Sequence, residues 1–442
     1  MKQRLRSLAP WLLSGCLCTQ APAPWTTEQL AADLDQIAAA VRSEWSYLAD
    51  RRQNSGVDVD ALLAEAKKTL PQVHSADDFA RSLRRFGAGL QDGHAWTSVP
   101  GESPPPARRL PFGLADCREG LVVLTTAAGA GAPLHGDLLV AIDDTPIEDA
   151  IRAAAREVFA STPGMRRQLA IAALQRTHTE RVRCSLVAAD GSRRDLDLAT
   201  VTAGAVPPVR PATENWSLAW PRAEVAVLQL HSFEVPRWRE WLAAKPEQRE
   251  PFLAEGRARI AAIIADLTAR TARTLIVDVR GNGGGTDLLA IHLAERLLDG
   301  EFLYFQLAGK HLGTWWPPAG TTYGKDPRAR FPGRVIALAD EHSFSTTDNF
   351  LRCLQDLHPD FTVVGRRTGG GTGAPREIVV AAHSKAVLGA CTQRVYGPKG
   401  ELIEGRGTAP TVPVQWTRAD WLQGRDPDLE AALRLATGDR SR

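Results

Sequence analysis

Asp340-Glu341-His342-Ser343-Phe344-Ser345-Thr346-Thr347-Asp348 and its companion Asp278-Val279-Arg280-Gly281-Asn282-Gly283-Gly284-Gly285 set what the rest of this chain can be. Each stretch follows a short apolar run, Val335 to Ala339 and Leu275 to Val279, of the length and β-branched content of a buried strand. Each leads into a helical pattern. A strand that turns sharply into a helix leaves backbone N–H groups exposed above the sheet edge. Consecutive glycines let that backbone approach a bound group closely, with amides turned inward as an oxyanion hole requires. Ser345 would head the second helix with its hydroxyl free, which is how a nucleophile is often presented. Ser345 and Asp348 also spell an ordinary capping box, a purely structural use of the same two residues.

Outward from these junctions, strand and helix patterns alternate. Val225 to Leu230 reads as a strand, Ile260, Ile263, Ile264 and Leu267 as one helix face, and Leu288 to Leu298 as another helix. Strands follow at Phe361 to Val364 and near Ile378 and Val387, so residues 214–438 form an α/β domain. At the other end, Leu30, Leu34, Ile37, Val41, Trp45 and Leu48 recur every three or four positions behind a Thr26/Gln29 capping box. Phe79, Leu83, Phe86 and Leu90 do the same behind Ser75 and Asp78, and the stripe stops at Asp92-Gly93. His94 therefore sits just past a helix end. Residues 25–102 read as a helical domain closed by the Pro-rich Ser103–Pro106 linker, and residues 110–205, with strands Leu121 to Thr125 and Leu138 to Ile142 and a helix near Ile151 to Phe159, as a small α+β unit. The fold class is multidomain α/β.

Composition narrows the function. The chain has 442 residues, enough for two or three domains, with 53 basic and 51 acidic residues well mixed to a net charge of +2. That balance supplies no single-sign field for nucleic acid or for an acidic membrane surface. The six cysteines lack zinc-site spacing, the histidines are scattered, and there is no Walker lysine or His-Glu-x-x-His. Gly369 to Ala374 nominally fits a dinucleotide fingerprint, but Pro375 and a strand follow where a helix should start. No cofactor and no metal are expected. Lys2, Arg4 and Arg6 before the apolar Leu8–Leu13 run mark residues 1–24 as a targeting segment. Within it Leu13-Ser14-Gly15-Cys16 resembles a bacterial lipobox, which implies a lipid anchor on Cys16, a periplasmic or cell-envelope location, and membrane contact only through that anchor; cleavage at Ala21-Pro22-Ala23 is the alternative.

The 278–285 segment resembles the Asp-x-Arg-x-Asn-x-Gly-Gly signature of the C-terminal processing and tricorn-type serine peptidases. Ser343 to Asp348 is similar to their small-x-Ser-small-x-Glu turn, with Asp348 in place of glutamate. Gly365-Arg366-Arg367-Thr368-Gly369-Gly370 resembles their Gly-x-x-Thr-x-Gly loop, and Glu404-Gly405-Arg406-Gly407 with Pro410 their late turn. Four motifs in order are far more specific than any one. The resemblance implies a ClpP/crotonase-like α/β core and a helical N-terminal domain, and Gly136 to Asp143 is similar to a segment of PDZ domains. Protein or peptide substrates follow from it.

The tail-specific branch of these peptidases places a lysine base directly after the Thr loop, where this chain has Gly371. Asp92-Gly93-His94 is similar instead to the Asp-x-His turn of the tricorn-type branch. That likeness implies Ser345 as nucleophile, His94 as general base, Glu404 as the acid behind it, and the amides of Gly283, Gly284 and Thr346 as the oxyanion hole. His231 and His342 are the rival histidines. A noncatalytic peptide-binding protein on a decayed scaffold is the competing class, and a crotonase-like acyl-group enzyme a weaker third.

Overall fold

The computed structural model describes residues 24–127, 135–209, 213–311, 314–324 and 329–438. Cys16 and nearly all of the targeting segment lie outside them. No helix among the described residues is long and apolar enough to cross a membrane.

At the front of the chain Thr26 caps the helix Thr27–Glu44, its hydroxyl accepting the Gln29 amide while the Gln29 side chain accepts that of Thr26. Leu30, Leu34, Ile37 and Val41 form its buried stripe. Ser75 caps Ala76–Gly89 in the same way, through the Asp78 amide. Two helices between them, Leu48–Ser55 and Val59–Thr69, escape the periodicity. The first is largely polar, and the residue it buries is Arg51, so it has no apolar stripe to read.

These helices do not make a core alone. Ala386, Leu388, Ala390 and Cys391, from far down the chain, complete it. The strands Pro375–Val380 and Val387–Cys391 pair antiparallel, and Trp96–Ser98 adds to the second with Trp96 opposite Gly389. A Cβ on Gly389 would meet the Trp96 indole at 2.2 Å, so only glycine lets that ring lie across the strand. The segment just after His94 is thereby stitched to the C-terminal region.

The middle unit is an antiparallel sheet in the order Phe112–Cys117, Gly120–Thr126, Leu138–Ile142, Arg181–Val187, Arg193–Ala199. Its core collects Phe112, Val123, Leu139, Ile151, Ile171 and Leu186. The expected helix runs from Ile147 to Ala154, short of Phe159, and a second helix, Pro163–Leu174, follows. Phe112–Cys117 is an outer strand.

The C-terminal sheet has the order Ser217–Arg222, Val225–Gln229, Thr274–Asp278, Arg334–Ala339, Phe361–Gly365, Val412–Pro413, parallel after the first pair. Leu275 and Val277 face the helices Glu250–Ala269, Asp287–Leu297 and Thr346–Leu357, while Ile276 faces Pro427–Ala436. Coverage on both faces explains why these strands read as unbroken apolar runs. Thr274–Asp278 and Arg334–Ala339 are parallel neighbours, with Asp278 opposite Leu338. The loops leaving their carboxyl ends therefore emerge side by side, where ligands of open α/β sheets bind.

Candidate active site

Ser345 stands at the N-cap of Thr346–Leu357 with φ 64° and ψ −124°, and its side chain makes no capping bond. A non-glycine residue at such an angle costs roughly 1–3 kcal/mol, a strain typical of functional turns. The capping box is therefore not formed. Asp348 uses its carboxylate to accept the Thr368 hydroxyl and the Gly370 amide, the latter at 2.9 Å, with the Ser345 backbone amide also donating to it, and so holds the loop after Gly365. Burial pushes the Asp348 pKa up to about 7 against those hydrogen bonds. Ser343 fixes the turn from below, donating to Val279 O at 2.8 Å and accepting the Asp340 amide at 3.1 Å.

Asn282 ties the glycine loop to this turn. Its side-chain amide donates to Leu230 O at 2.9 Å, its Oδ1 accepts the Gly284 amide at 2.9 Å, and its carbonyl accepts the Phe344 amide at 2.9 Å. Gly284, with φ 105°, passes so close under the nucleophile that a Cβ there would lie 2.8 Å from Ser345 Cβ and 3.0 Å from Thr346 N. Of the three expected oxyanion donors, Gly284 thus has its amide committed to Asn282. The Gly283 and Thr346 amides make no hydrogen bond among the described residues, and Thr346 N, next in the chain to Ser345, lies against the Gly284 backbone. Behind the loop, buried Arg280 is held by Asp278, Asp426 and Asp428 at 2.6–3.0 Å.

His94 arrives from the other end of the chain. Its Nε2 lies 3.1 Å from Ser345 Oγ across 251 residues of sequence. Asp92 builds the turn that delivers it: one carboxylate oxygen accepts the His94 amide at 2.9 Å, the other accepts Trp45 Nε1 at 2.9 Å and the Cys391 amide at 3.1 Å. The Gly93 amide donates to Ser161 Oγ at 2.8 Å. The imidazole packs on the Phe344 ring, centroids 4.5 Å apart. Burial pulls the His94 pKa below its ordinary value, with the Asp92 charge opposing, so the ring is neutral at neutral pH, the form a base needs. Its Nδ1 is buried and has no hydrogen-bond partner.

Glu404 is fully buried nearby but does not hydrogen-bond His94. Its oxygens accept Arg51 Nη2 at 2.7 Å and the Thr372 amide at 2.7 Å. Burial and the Asp92 charge push its pKa up to about 8, with Arg51 opposing. Ser345 and His94 are thus brought together as expected, while Glu404 stands in a charged cluster behind them. Sequence reasoning missed Arg51, which has no apolar pattern or motif of its own, and took Asp92 only as part of the Asp-x-His turn. The rival histidines do not meet Ser345: His231 bonds the Thr213 hydroxyl, and the His342 amide donates to Asp340. A cleft of about 1260 Å³, lined by Leu114, Asp116, Arg167, Gly281, His342 and Arg366 among others, separates the outer strand of the middle unit from the flank of both catalytic loops.

Residues 224–414 match the model of peptidase family S41. The chain is 28% identical over 417 residues to tricorn protease homolog 2 of Streptomyces coelicolor, covering 86% of this chain and 30% of the relative. It is 27% identical over 440 residues to tricorn protease homolog 1 of the same organism, covering 92% and 36%. The chain spans about a third of the length of these curated relatives. Among solved structures it is similar to mature CPAF complexed with lactacystin, with a TM-score of 0.74 at 15% identity over 93% of this chain and 99% of that one. At that identity the likeness is one of fold.

Proposed function

We propose, from the match of residues 224–414 to peptidase family S41, that the chain is a serine peptidase of that family cleaving protein or peptide substrates through an acyl-enzyme on Ser345. The observation that carries this is the approach of His94 Nε2 to Ser345 Oγ at 3.1 Å, with the serine held in a strained turn and free of any capping role.

In this reading Ser345 Oγ attacks the scissile carbonyl while His94 takes its proton and later gives it to the leaving amine. The developing oxyanion is received by the Gly283 and Thr346 amides. Gly284 contributes its lack of a side chain. The base is histidine, as in the tricorn-type branch, with the Asp92 charge behind the imidazole and Glu404, protonated below about pH 8, close to both. The core is taken as ClpP/crotonase-like and the middle unit as PDZ-like. The Phe112–Cys117 strand, at the sheet edge beside the cleft, would accept an extended peptide by strand addition. We further propose that the protein is exported and anchored by a lipid on Cys16.

A fluorophosphonate probe tests the reaction. The chain should be labelled on Ser345, and His94→Ala should reduce labelling by at least about a hundredfold. A noncatalytic binding protein on this scaffold would stay unlabelled.

A further inference from the structure

We propose that Asp92, His94 and Cys391 form an inhibitory site for a soft divalent cation such as zinc, on the face of the His94 ring that points away from Ser345. A ring nitrogen of His94, a carboxylate oxygen of Asp92 and Cys391 Sγ lie within 4.8 Å of one another. Because Nε2 is committed to Ser345 Oγ, the nitrogen left for a metal is Nδ1, which is buried and unpartnered. A buried polar atom without a partner is costly, and Nδ1, which carries the ring proton while Nε2 serves as base, becomes a metal ligand once that proton moves to Nε2. Cys391 Sγ is 3.5 Å from Asp92 Oδ1 and 3.3 Å from Thr372 O, so a backbone carbonyl is at hand for a fourth position.

Zinc bonds of about 2.0–2.3 Å to nitrogen, oxygen and sulfur set tetrahedral ligand atoms roughly 3.3–3.8 Å apart. The three atoms need to draw together only slightly to meet that spacing. Thiolate, imidazole and carboxylate together favour zinc, cadmium or cobalt over magnesium or calcium. On binding, the Cys391 thiol loses its proton to water and the thiolate forms the metal–sulfur bond. The Nδ1 lone pair forms a second bond, which leaves the ring's single proton on Nε2. That proton faces Ser345 Oγ, so the imidazole can no longer accept one from the serine. The metal charge of +2 is matched by thiolate and carboxylate, so the three-ligand cluster goes from −1 to neutral.

The inhibitory consequence rests on the serine-peptidase reading, whereas the site itself does not, and the test separates them. The chain is first stripped with EDTA, then titrated with zinc chloride while the rate of fluorophosphonate labelling is followed. Zinc should slow labelling at least about tenfold, EDTA should reverse this, and magnesium or calcium should have no effect. Cys391→Ala, compared with its own metal-free rate, should need at least about tenfold more zinc. Independently, cobalt(II) added to Ser345→Ala should give a thiolate-to-cobalt charge-transfer band that Ser345→Ala/Cys391→Ala lacks. Equal zinc sensitivity with and without Cys391, or no such band, overturns the proposal. If the stripped chain never labels, the peptidase reading fails and the cobalt band alone decides the site.

Discussion

The ring of Phe344 fills the space that any side chain at position 371 would need: a Cβ on Gly371 would lie 1.8 Å from Phe344 Cε2. The same ring backs His94 at 4.5 Å. A lysine at 371 and this phenylalanine ring cannot coexist, so packing as well as sequence excludes a lysine there.

Gly371→Ala should therefore lower the rate of Ser345 labelling by at least about tenfold, because Phe344 must move and His94 with it. Adding Phe344→Ala should restore part of the loss, as residues in contact couple by about 0.5–3 kcal/mol. A double-mutant cycle on labelling rates measures this, and strict additivity would refute the coupling.

The pH profile follows from the depressed His94 pKa. If the neutral ring is the base as proposed, kcat/KM should fall on acidification with a midpoint below the ordinary histidine value of about 6.5. Asp92 opposes that depression, so Asp92→Asn should move the midpoint lower still. A midpoint above 6.5 would contradict the burial argument.

Glu404 makes stability pH-dependent in a definite sense. Its folded pKa of about 8 lies above the ordinary value of 4.5, so the folded state holds a proton the unfolded chain has released. That contribution is complete below about pH 4.5 and is lost as pH rises through about 8. Between about pH 7 and 8.5, above the histidine range and below that of free thiols, Tm should fall, and Glu404→Gln should flatten the slope. A Tm that rises over this window would refute the assignment.

Above about pH 8, where Glu404 is ionised, removing Arg51 strands its carboxylate in the interior. Arg51→Met should cost about 3–5 kcal/mol of stability, and Arg51→Met/Glu404→Gln should recover much of it. Denaturant titration of the three variants reads the difference.

Asn282→Ala should lower kcat about ten- to a hundredfold with less change in KM. Its side chain holds Gly284 and Leu230, which keep the glycine loop under the nucleophile turn, and misplaced oxyanion donors act on the transition state. Steady-state kinetics on a fluorogenic peptide tests it.

Much of this architecture was legible because its signals are local. Strands buried on both faces read as apolar runs, and capping residues Thr26 and Ser75 announce their helices. The two catalytic loops were found from glycine and serine placed after such strands. What was hidden depends on contacts across the chain. The Leu48–Ser55 helix buries an arginine, whose meaning appears only once Glu404 lies opposite it. Ser345/Asp348 spelled a capping box whose serine half folding does not use: the Ser345 side chain makes no capping bond and meets His94 instead. The share of the N-terminal core supplied by Ala386 to Cys391 could not be read from either segment alone.

The pairing of Trp96–Ser98 with Val387–Cys391 makes competence a late event in the life of each molecule. During synthesis the imidazole leaves the ribosome long before its serine, and nothing holds the two in register until the hairpin near residue 390 has docked. A nascent or half-folded copy therefore lacks the Ser345–His94 pair. On the proposed function, cutting would begin only once the two ends of the chain have docked.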